Sequence, residues 1–486
     1  MTARAVMVLG TTSHAGKSWL ATALCRWYAR RGLKVAPFKA QNMSNNARVV
    51  PAPDGRLGEI GSAQYFQALA TRARPEVRMN PVLLKPERDT ASQVIVMGQV
   101  RADLAAVPWR ERSAALWPHA RAALHELMAE NDVLVIEGAG SPAEINLQSV
   151  DFVNLHTARE VRAACLLVTD IDRGGAFAHL YGTHQLMPPA ERALLRGFVL
   201  NRFRGDAALL APGPADLQAL TGVPTVAVLP MWRGHGLPEE DGMLDAAASG
   251  EGSLRIAIVA APRISNLDEF QSLRSMPGVR LTWARDAGAL ADVDIIVLPG
   301  SKHTSGDLAW LRAQRMDAAI VQHAAAGRRV LGLCGGLQML GEALIDPHGI
   351  DGNAPGLGLL PLVTRFEPDK LLAHTQARFG ALTGPWQALS NVAFDGYEIH
   401  HGRSLQRPDL PPAAVALRNA AGAAIGWQRG PVLGVYAHGL FESDAVLRAL
   451  FGAEVRTLDA VFDGLADFID HHFERGVLDN LLRPHD

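Results

Sequence analysis

The stretch VLGTTSHAGKSWL, residues 8–20, places a Gly-rich turn between an apolar run and a helix that begins near Lys17. A strand, a tight turn and a helix in that order aim backbone N–H groups and a helix N-terminus at one point, which is a site for an anion. Gly16-Lys17-Ser18 ends the turn as a phosphate-binding loop does, with Lys17 supplying a point charge and Ser18 a hydroxyl for Mg²⁺. Five residues separate Gly10 from Gly16, one more than the usual spacing. The chain is therefore expected to open with a βα unit that binds a nucleotide through Thr11, Gly16, Lys17 and Ser18.

The same alternation recurs through the first half of the chain. The runs AVMVLG, LKVAPFK, DVLVIEGAG, ACLLVTD, RGFVLNRF and PTVAVLP are separated by helix-like stretches, the pattern of a parallel sheet covered on both faces. It is lost in HGLPEEDGMLDAAASGEGS (235–253), which reads as a linker. A second α/β series then runs through LRIAIVA, VDIIVLPG, RRVLGLCGG and PVLGVYAHGLF. The expected organisation is a nucleotide-binding domain over 1–234, a linker over 235–253, a second domain over 254–445 and a helical tail over 446–486 packed against that second domain.

Charge narrows the partners. With 47 Lys and Arg against 49 Asp and Glu, no field of one sign draws the chain to nucleic acid or to an anionic membrane, so small molecules are the expected ligands. Cys25, Cys165 and Cys334 are isolated from one another, without zinc or disulfide spacing. No signal pattern opens the chain, and no apolar run approaches the ~20 residues that span a bilayer. These features suit a cytoplasmic protein in a reducing compartment, with self-association left open.

The three cysteines are not equivalent. In RRVLGLCGGLQML (328–340) a buried strand meets a Gly-flanked turn that carries Cys334 at its tip, followed by a helix. That geometry exposes a thiol to a helix N-terminus and to backbone donors at Gly335, the arrangement of a nucleophile with an oxyanion site. Cys25 and Cys165 read as core residues.

FKAQNMSNNARV (38–49), GEIGSAQYFQALA (58–70), MNPVLLKP (79–86), IEGAGSPAEINL (136–147), TDIDRGGAFAHLYGT (169–183) and GFVLNRFRGD (197–206) occur in that order. Together they resemble the successive blocks of the cobyric acid synthase family, glutamine-dependent amidases of corrinoid synthesis. The resemblance covers essentially the whole chain, and the lengthened phosphate loop resembles that of dethiobiotin synthetase and its relatives. It implies two doubly wound α/β domains: an N-terminal P-loop NTPase-like, dethiobiotin-synthetase-like domain and a C-terminal class I glutamine amidotransferase domain of flavodoxin-like type.

The resemblance also implies roles. ATP, L-glutamine and adenosylcobyrinic acid a,c-diamide would be the substrates, Mg²⁺ the metal, and no tightly bound organic cofactor is expected. Lys17 and Lys39 would flank the transferred phosphoryl group, and Glu137 at the end of DVLVIE would hold Mg²⁺ with Ser18. Glu59 in GEIG would be a second metal ligand, with Asp54 a competitor. Asn201 stands where related synthetases read adenine, a turn-forming asparagine being the alternative. Gln41 and Asn42, in a run with Ser44, Asn45 and Asn46, would contact the substrate, and Arg173 would pair with one of its carboxylates.

In the second half, His438 resembles the catalytic histidine of class I amidotransferase domains and Gly300, in VLPGSKHTSGDLAWL, the centre of a second oxyanion turn. The usual glutamate two residues after the histidine is Leu440 here, and Glu442 stands in the wrong place by motif. The motif thus leaves the group that orients His438 unknown, and if no strong carboxylate takes that place, resting glutamine hydrolysis is expected to be low. His400 and His401 lack the partners of a metal site. The rival readings are an a,c-diamide synthase and a partition-type P-loop ATPase with an inactive amidotransferase domain.

Overall fold

The computed structural model describes residues 3–88, 91–238, 250, 252–453 and 455–483. In the first domain, strands β1 (Arg4–Gly10), β2 (Val35–Phe38), β3 (Val133–Glu137), β4 (Ala164–Asp170), β5 (Leu195–Phe203) and β6 (Thr225–Pro230) form one sheet. Its order is β6-β5-β4-β1-β3-β2, and every neighbouring pair is parallel. Each of the six apolar runs supplies one of these strands. The runs are continuous because both faces are covered: Val6 and Val8 of β1 join one core and Met7 and Leu9 the other. Helix α1 (Lys17–Arg30) leaves the phosphate loop and covers the first of these faces, and α2 (Ser62–Ala70) lies beside it.

Between β2 and β3 the chain makes an excursion that carries the KAQNMSNN, GEIG and MNPVLLKP blocks. It contains an antiparallel hairpin, Ala47–Pro51 with Leu57–Gly61, and a small sheet built on Val82–Arg88. Ala47, Val49, Leu83 and Ile95 of this excursion pack directly on Tyr397 and Ile399 of the second domain. The two domains therefore meet through the very blocks that distinguish the chain.

The second domain orders β7 (Leu254–Val259), β8 (Val279–Ala284), β9 (Ile295–Leu298) and β10 (Arg329–Leu333) as β8-β7-β9-β10. The parallel part ends on Val432–Val435, and an antiparallel extension formed by Ala424–Arg429, Ala414–Asn419, Leu362–Phe379 and Ala393–Gln406 continues it. Two short helices, α3 (Gln271–Ser275) and α4 (Gly335–Leu340), lie on the side of this domain that faces the first.

The tail departs from expectation. Helix α5 (Leu458–His472) packs against α1 of the first domain, not against the second. Its apolar residues Val461, Phe462, Leu465, Ala466 and Ile469 fall on one helical face, which needs an apolar partner. The outer face of α1 supplies it: Arg26 is fully buried there and pairs with Asp459 at 2.5 Å and Asp463 at 2.8 Å, while Trp27 Nε1 donates to Asp470 at 2.7 Å. The second domain keeps the preceding helix, Asp444–Phe451, through Val446 and Leu447. Of the expected linker, 239–249 and 251 lie outside the described residues, whereas 235–238 line a cavity of the first domain.

Candidate functional site

The phosphate loop is held open by its own neighbours. Gly16 sits at φ 104°, and a Cβ there would collide with the Asn201 amide, which donates to Ala15 O at 2.9 Å. Lys17 Nζ bridges Thr12 O at 3.0 Å and Gly140 O at 3.1 Å, so the ammonium spans the loop and the turn after β3. Glu137 is fully withdrawn from solvent and accepts from Ser18 Oγ at 2.8 Å, Lys39 Nζ at 2.8 Å and Gln67 Nε2 at 2.6 Å. Burial raises the carboxyl pKa, but Lys39 and these donors outweigh it and hold Glu137 below its ordinary value.

These residues edge a cavity of about 830 Å³. Ser18, Lys39, Asn42, Glu137 and Asn201 line it, together with Trp19, Trp232 and His235. Among the described residues its charged rim is Lys17, Lys39, Arg202, Arg233 and Arg274 against the single carboxylate Glu137, a balance suited to anionic ligands. Four expected residues stand elsewhere, Glu59 among them. Thr11 turns its hydroxyl to Thr169 at 2.9 Å and braces β1 on β4. Arg173 is largely exposed and pairs with Asp170, and neither it nor Gln41 lines the cavity.

At the other site, β10 delivers Cys334 at φ 49°, ψ −104°, and α4 starts immediately behind it. A non-glycine residue at positive φ is strained, and here the strain puts the thiol at the tip of the turn. The glycines allow two turns to nest: a Cβ on Gly335 would press on Ser301 N, and one on Gly300 would lie 3.1 Å from His438 Cε1. Cys334, Gly335, Gly300 and His438 thus converge. His438 is buried, stacks on Tyr397 with ring centroids 5.2 Å apart, and is close enough to Cys334 to interact with it electrostatically, while the thiol itself donates to Ile399 O at 3.8 Å.

The group that orients His438, which the motif left unknown, is a carboxylate from a distant turn. Glu269 Oε1 lies 3.2 Å from His438 Nδ1, and its second oxygen accepts from Gly439 N at 3.3 Å. Burial alone would lower the imidazole pKa, yet the Glu269 carboxylate and Cys334 prevail and push it up to about 10. Glu442 points to the first domain, where both of its oxygens meet Arg48. Cys25 and Cys165 are buried, and burial raises both thiols, Cys165 to about 12, which makes them inert.

The CobQ/CobB/MinD/ParA nucleotide binding domain matches residues 6–235, and the CobB/CobQ-like glutamine amidotransferase domain matches residues 255–446. Over 99% of its length the chain is 75% identical to a cobyric acid synthase of Methylibium petroleiphilum, covering 97% of that protein. It is 71% identical to the one of Leptothrix cholodnii, over 99% of this chain and 98% of that one, and 68% identical to the one of Variovorax paradoxus, over 99% and 100%. The chain belongs to the cobyric acid synthase family. It is accordingly an amide-forming enzyme fed by a glutamine amidotransferase domain, and its P-loop domain uses ATP.

In this member of the family, Glu59 is not placed to hold a metal. Its oxygens are taken by Lys85 and Lys370, each at 2.5 Å, and these two ammonium groups line a small cavity that includes Cys334. Burial raises its carboxyl pKa, but the paired ammoniums draw it down to about 2, and a carboxylate so saturated serves the domain junction. His400 Nδ1 donates to Gly402 O at 2.8 Å and its Nε2 lies 3.3 Å from Glu398; among the described residues no metal-holding group of His, Cys, Asp and Glu occurs. No helix among the described residues is long and apolar enough to cross a membrane.

Motif spacing gave no sign of the junction between the domains. Arg48, just beyond the KAQNMSNN block, is buried and grips Asp268 and Glu442. Asn46 Oδ1 accepts from Leu267 N at 2.8 Å, and Asn266 Oδ1 accepts from Ala47 N at 3.1 Å. The turn 266–269 that supplies Glu269 is therefore held by the synthetase domain.

Proposed function

We propose that the enzyme amidates the b, d, e and g carboxylates of adenosylcobyrinic acid a,c-diamide, giving adenosylcobyric acid. The observation that carries this reading is the pairing of a glutamine-cleaving triad, Cys334-His438-Glu269, with a cationic phosphate-loop cavity across one junction. The relatives' shared name, cobyric acid synthase, agrees with the product of this reaction.

The triad opens the sequence of steps. Cys334 Sγ attacks the side-chain amide carbon of glutamine, and His438 passes a proton to the departing ammonia while Glu269 holds the imidazolium. Water then cleaves the thioester and releases glutamate. Backbone N–H groups around Gly335 and Gly300 stabilise the oxyanion.

In the synthetase cavity, a substrate carboxylate oxygen attacks the γ-phosphorus of ATP and ADP leaves. Oxide is a poor leaving group and phosphate a good one, so ammonia can then displace phosphate from the acyl phosphate carbon. Lys17 and Lys39 neutralise the transferred group. Ser18 Oγ and Glu137 Oε1, 2.8 Å apart at the cavity wall, are the hard oxygen donors that suit Mg²⁺, which bound there would share the phosphate charge. Asn42 and Asn201 offer amides to the ligands.

Incubation of the enzyme with MgATP, glutamine and the a,c-diamide tests the reading by product mass. Four successive gains of one amide are expected; no gain on the a,c-diamide, with gain on cobyrinic acid, would make the enzyme an a,c-diamide synthase.

A further inference from the structure

The cavity of the synthetase domain has a wall that this domain does not supply. Gln271, Arg274 and Ser275 line it, and all three belong to α3 of the amidotransferase domain. Their spacing of three and four residues puts them on one helical face. The opposite face is fixed, since Phe270 and Leu273 are completely buried in the amidotransferase core.

Two features of this wall call for a ligand. Arg274 makes no ion pair among the described residues, although it borders a cavity whose other arginine on the β5 side, Arg202, is paired with Asp170. Gln271 Oε1 is buried without a hydrogen-bond partner, and a buried acceptor left unmade is costly. A planar guanidinium matches a carboxylate, and an amide oxygen accepts from a carboxamide N–H. The substrate under the proposed function carries both groups on its rim. Nucleotide phosphates have Lys17, Lys39 and the loop, which line the same cavity from the synthetase side.

The position of α3 in the chain adds a consequence. Gln271 is two residues beyond Glu269, which holds His438, and three beyond Asp268, which Arg48 and Ser62 Oγ hold from the synthetase side. Asp268, Glu269 and Phe270 are all buried, so the turn and α3 form one packed unit. A ligand that engages Arg274 acts on the element that orients the catalytic histidine.

We propose that Arg274 and Gln271 bind a peripheral carboxylate and carboxamide of the corrinoid inside the synthetase cavity, and that α3 carries this occupancy through Glu269 to His438. The proposal rests on the corrinoid as the substrate of the synthetase domain. It assigns Arg274 and Gln271 as substrate-binding residues and Glu269 as the link between the two sites.

The test uses the full-length enzyme with adenosylcobyrinic acid a,c-diamide as probe. Binding is followed by the corrin absorbance, and glutamate release is measured with and without the corrinoid in the presence of MgATP. R274A should weaken corrinoid binding at least tenfold, R274K should recover part of it, and Q271L should weaken it several-fold. The affinity for a non-hydrolysable ATP analogue should stay within twofold. At corrinoid concentrations that saturate R274A, the stimulation of glutamate release should be smaller than in the wild type. Unchanged corrinoid affinity in R274A and Q271L, or a loss confined to the ATP analogue, overturns the assignment; undiminished stimulation at saturation overturns the link to His438. A wild-type enzyme that fails to bind the a,c-diamide at all overturns the functional reading instead, which keeps the two failures distinct.

Discussion

Glu269 and His438 are 169 residues apart in the chain, yet the carboxylate lies 3.2 Å from the imidazole Nδ1 and both side chains are buried. A buried carboxylate beside a buried imidazole favours the imidazolium, so the pair preserves a proton for the ammonia that leaves Cys334. The ordinary histidine value of about 6.5 is raised here to about 10.

Replacing Glu269 by Gln removes that charge and keeps the shape. Glutamine-dependent amidation should fall by roughly 10²–10⁴-fold, the usual contribution of a positioned acid–base pair, while amidation with added ammonium salt stays near the wild-type rate. The alkaline limb of the glutaminase profile should move to lower pH, because the raised imidazole pKa of about 10 depends on this carboxylate. The same linkage applies to stability: the contribution is complete below about 6.5 and is lost as pH rises through about 10. A limb that stays in place in E269Q would remove Glu269 from the triad.

Cys334→Ser should abolish glutamine-dependent synthesis and leave the ammonium-dependent reaction. The hydroxyl is a far weaker nucleophile than a thiolate, and Ser fits a turn that already tolerates positive φ. Equal loss with both nitrogen donors would mean that Cys334 supports the fold or the synthetase site.

Lys17→Ala should give the reverse pattern. Its ammonium bridges two carbonyls at the loop and faces the cavity, so amidation should drop by orders of magnitude with glutamine or ammonium, while glutamate release persists. Normal amidation by K17A would take the phosphate loop out of the mechanism.

The nucleotide half was legible because its signals are local. Each of the six apolar runs became a strand of one sheet, and the Gly16-Lys17-Ser18 turn stands at the head of α1, since a parallel strand buried on both faces must be written as an uninterrupted apolar run. Cys334, likewise, is marked by its own glycines. Glu269 carried no such mark. LDEF reads as an ordinary acidic turn, and the chain folds it onto His438 through long-range packing of Phe270 and Asp268. Glu59 misled for the same reason: the second lysine that saturates it, Lys370, comes from the other domain. The tail helix shows an apolar face clearly, but periodicity states that a face must be covered and leaves open by what.

The junction residue Arg48 provides the last prediction. Its guanidinium is buried among the rings of Tyr65, Phe66 and Tyr397, at 5.0 to 5.2 Å from their centres, and binds Asp268 and Glu442. Arg48→Met would leave Asp268 buried with the Ser62 hydroxyl as its remaining polar contact among those described, and an uncompensated buried charge costs about 3–5 kcal/mol. The urea midpoint of the variant should drop accordingly. Adding Asp268→Asn removes the stranded charge, so the double variant should be more stable than R48M alone, the signature of a coupled pair. Because Asp268 adjoins Glu269, R48M should also lower glutamine-dependent amidation more than the ammonium-dependent reaction, and D268N should not make that ratio worse in the R48M background. An unchanged midpoint in R48M, or a double variant less stable than R48M, would show that the junction is held elsewhere and that the turn bearing Glu269 stands without the synthetase domain.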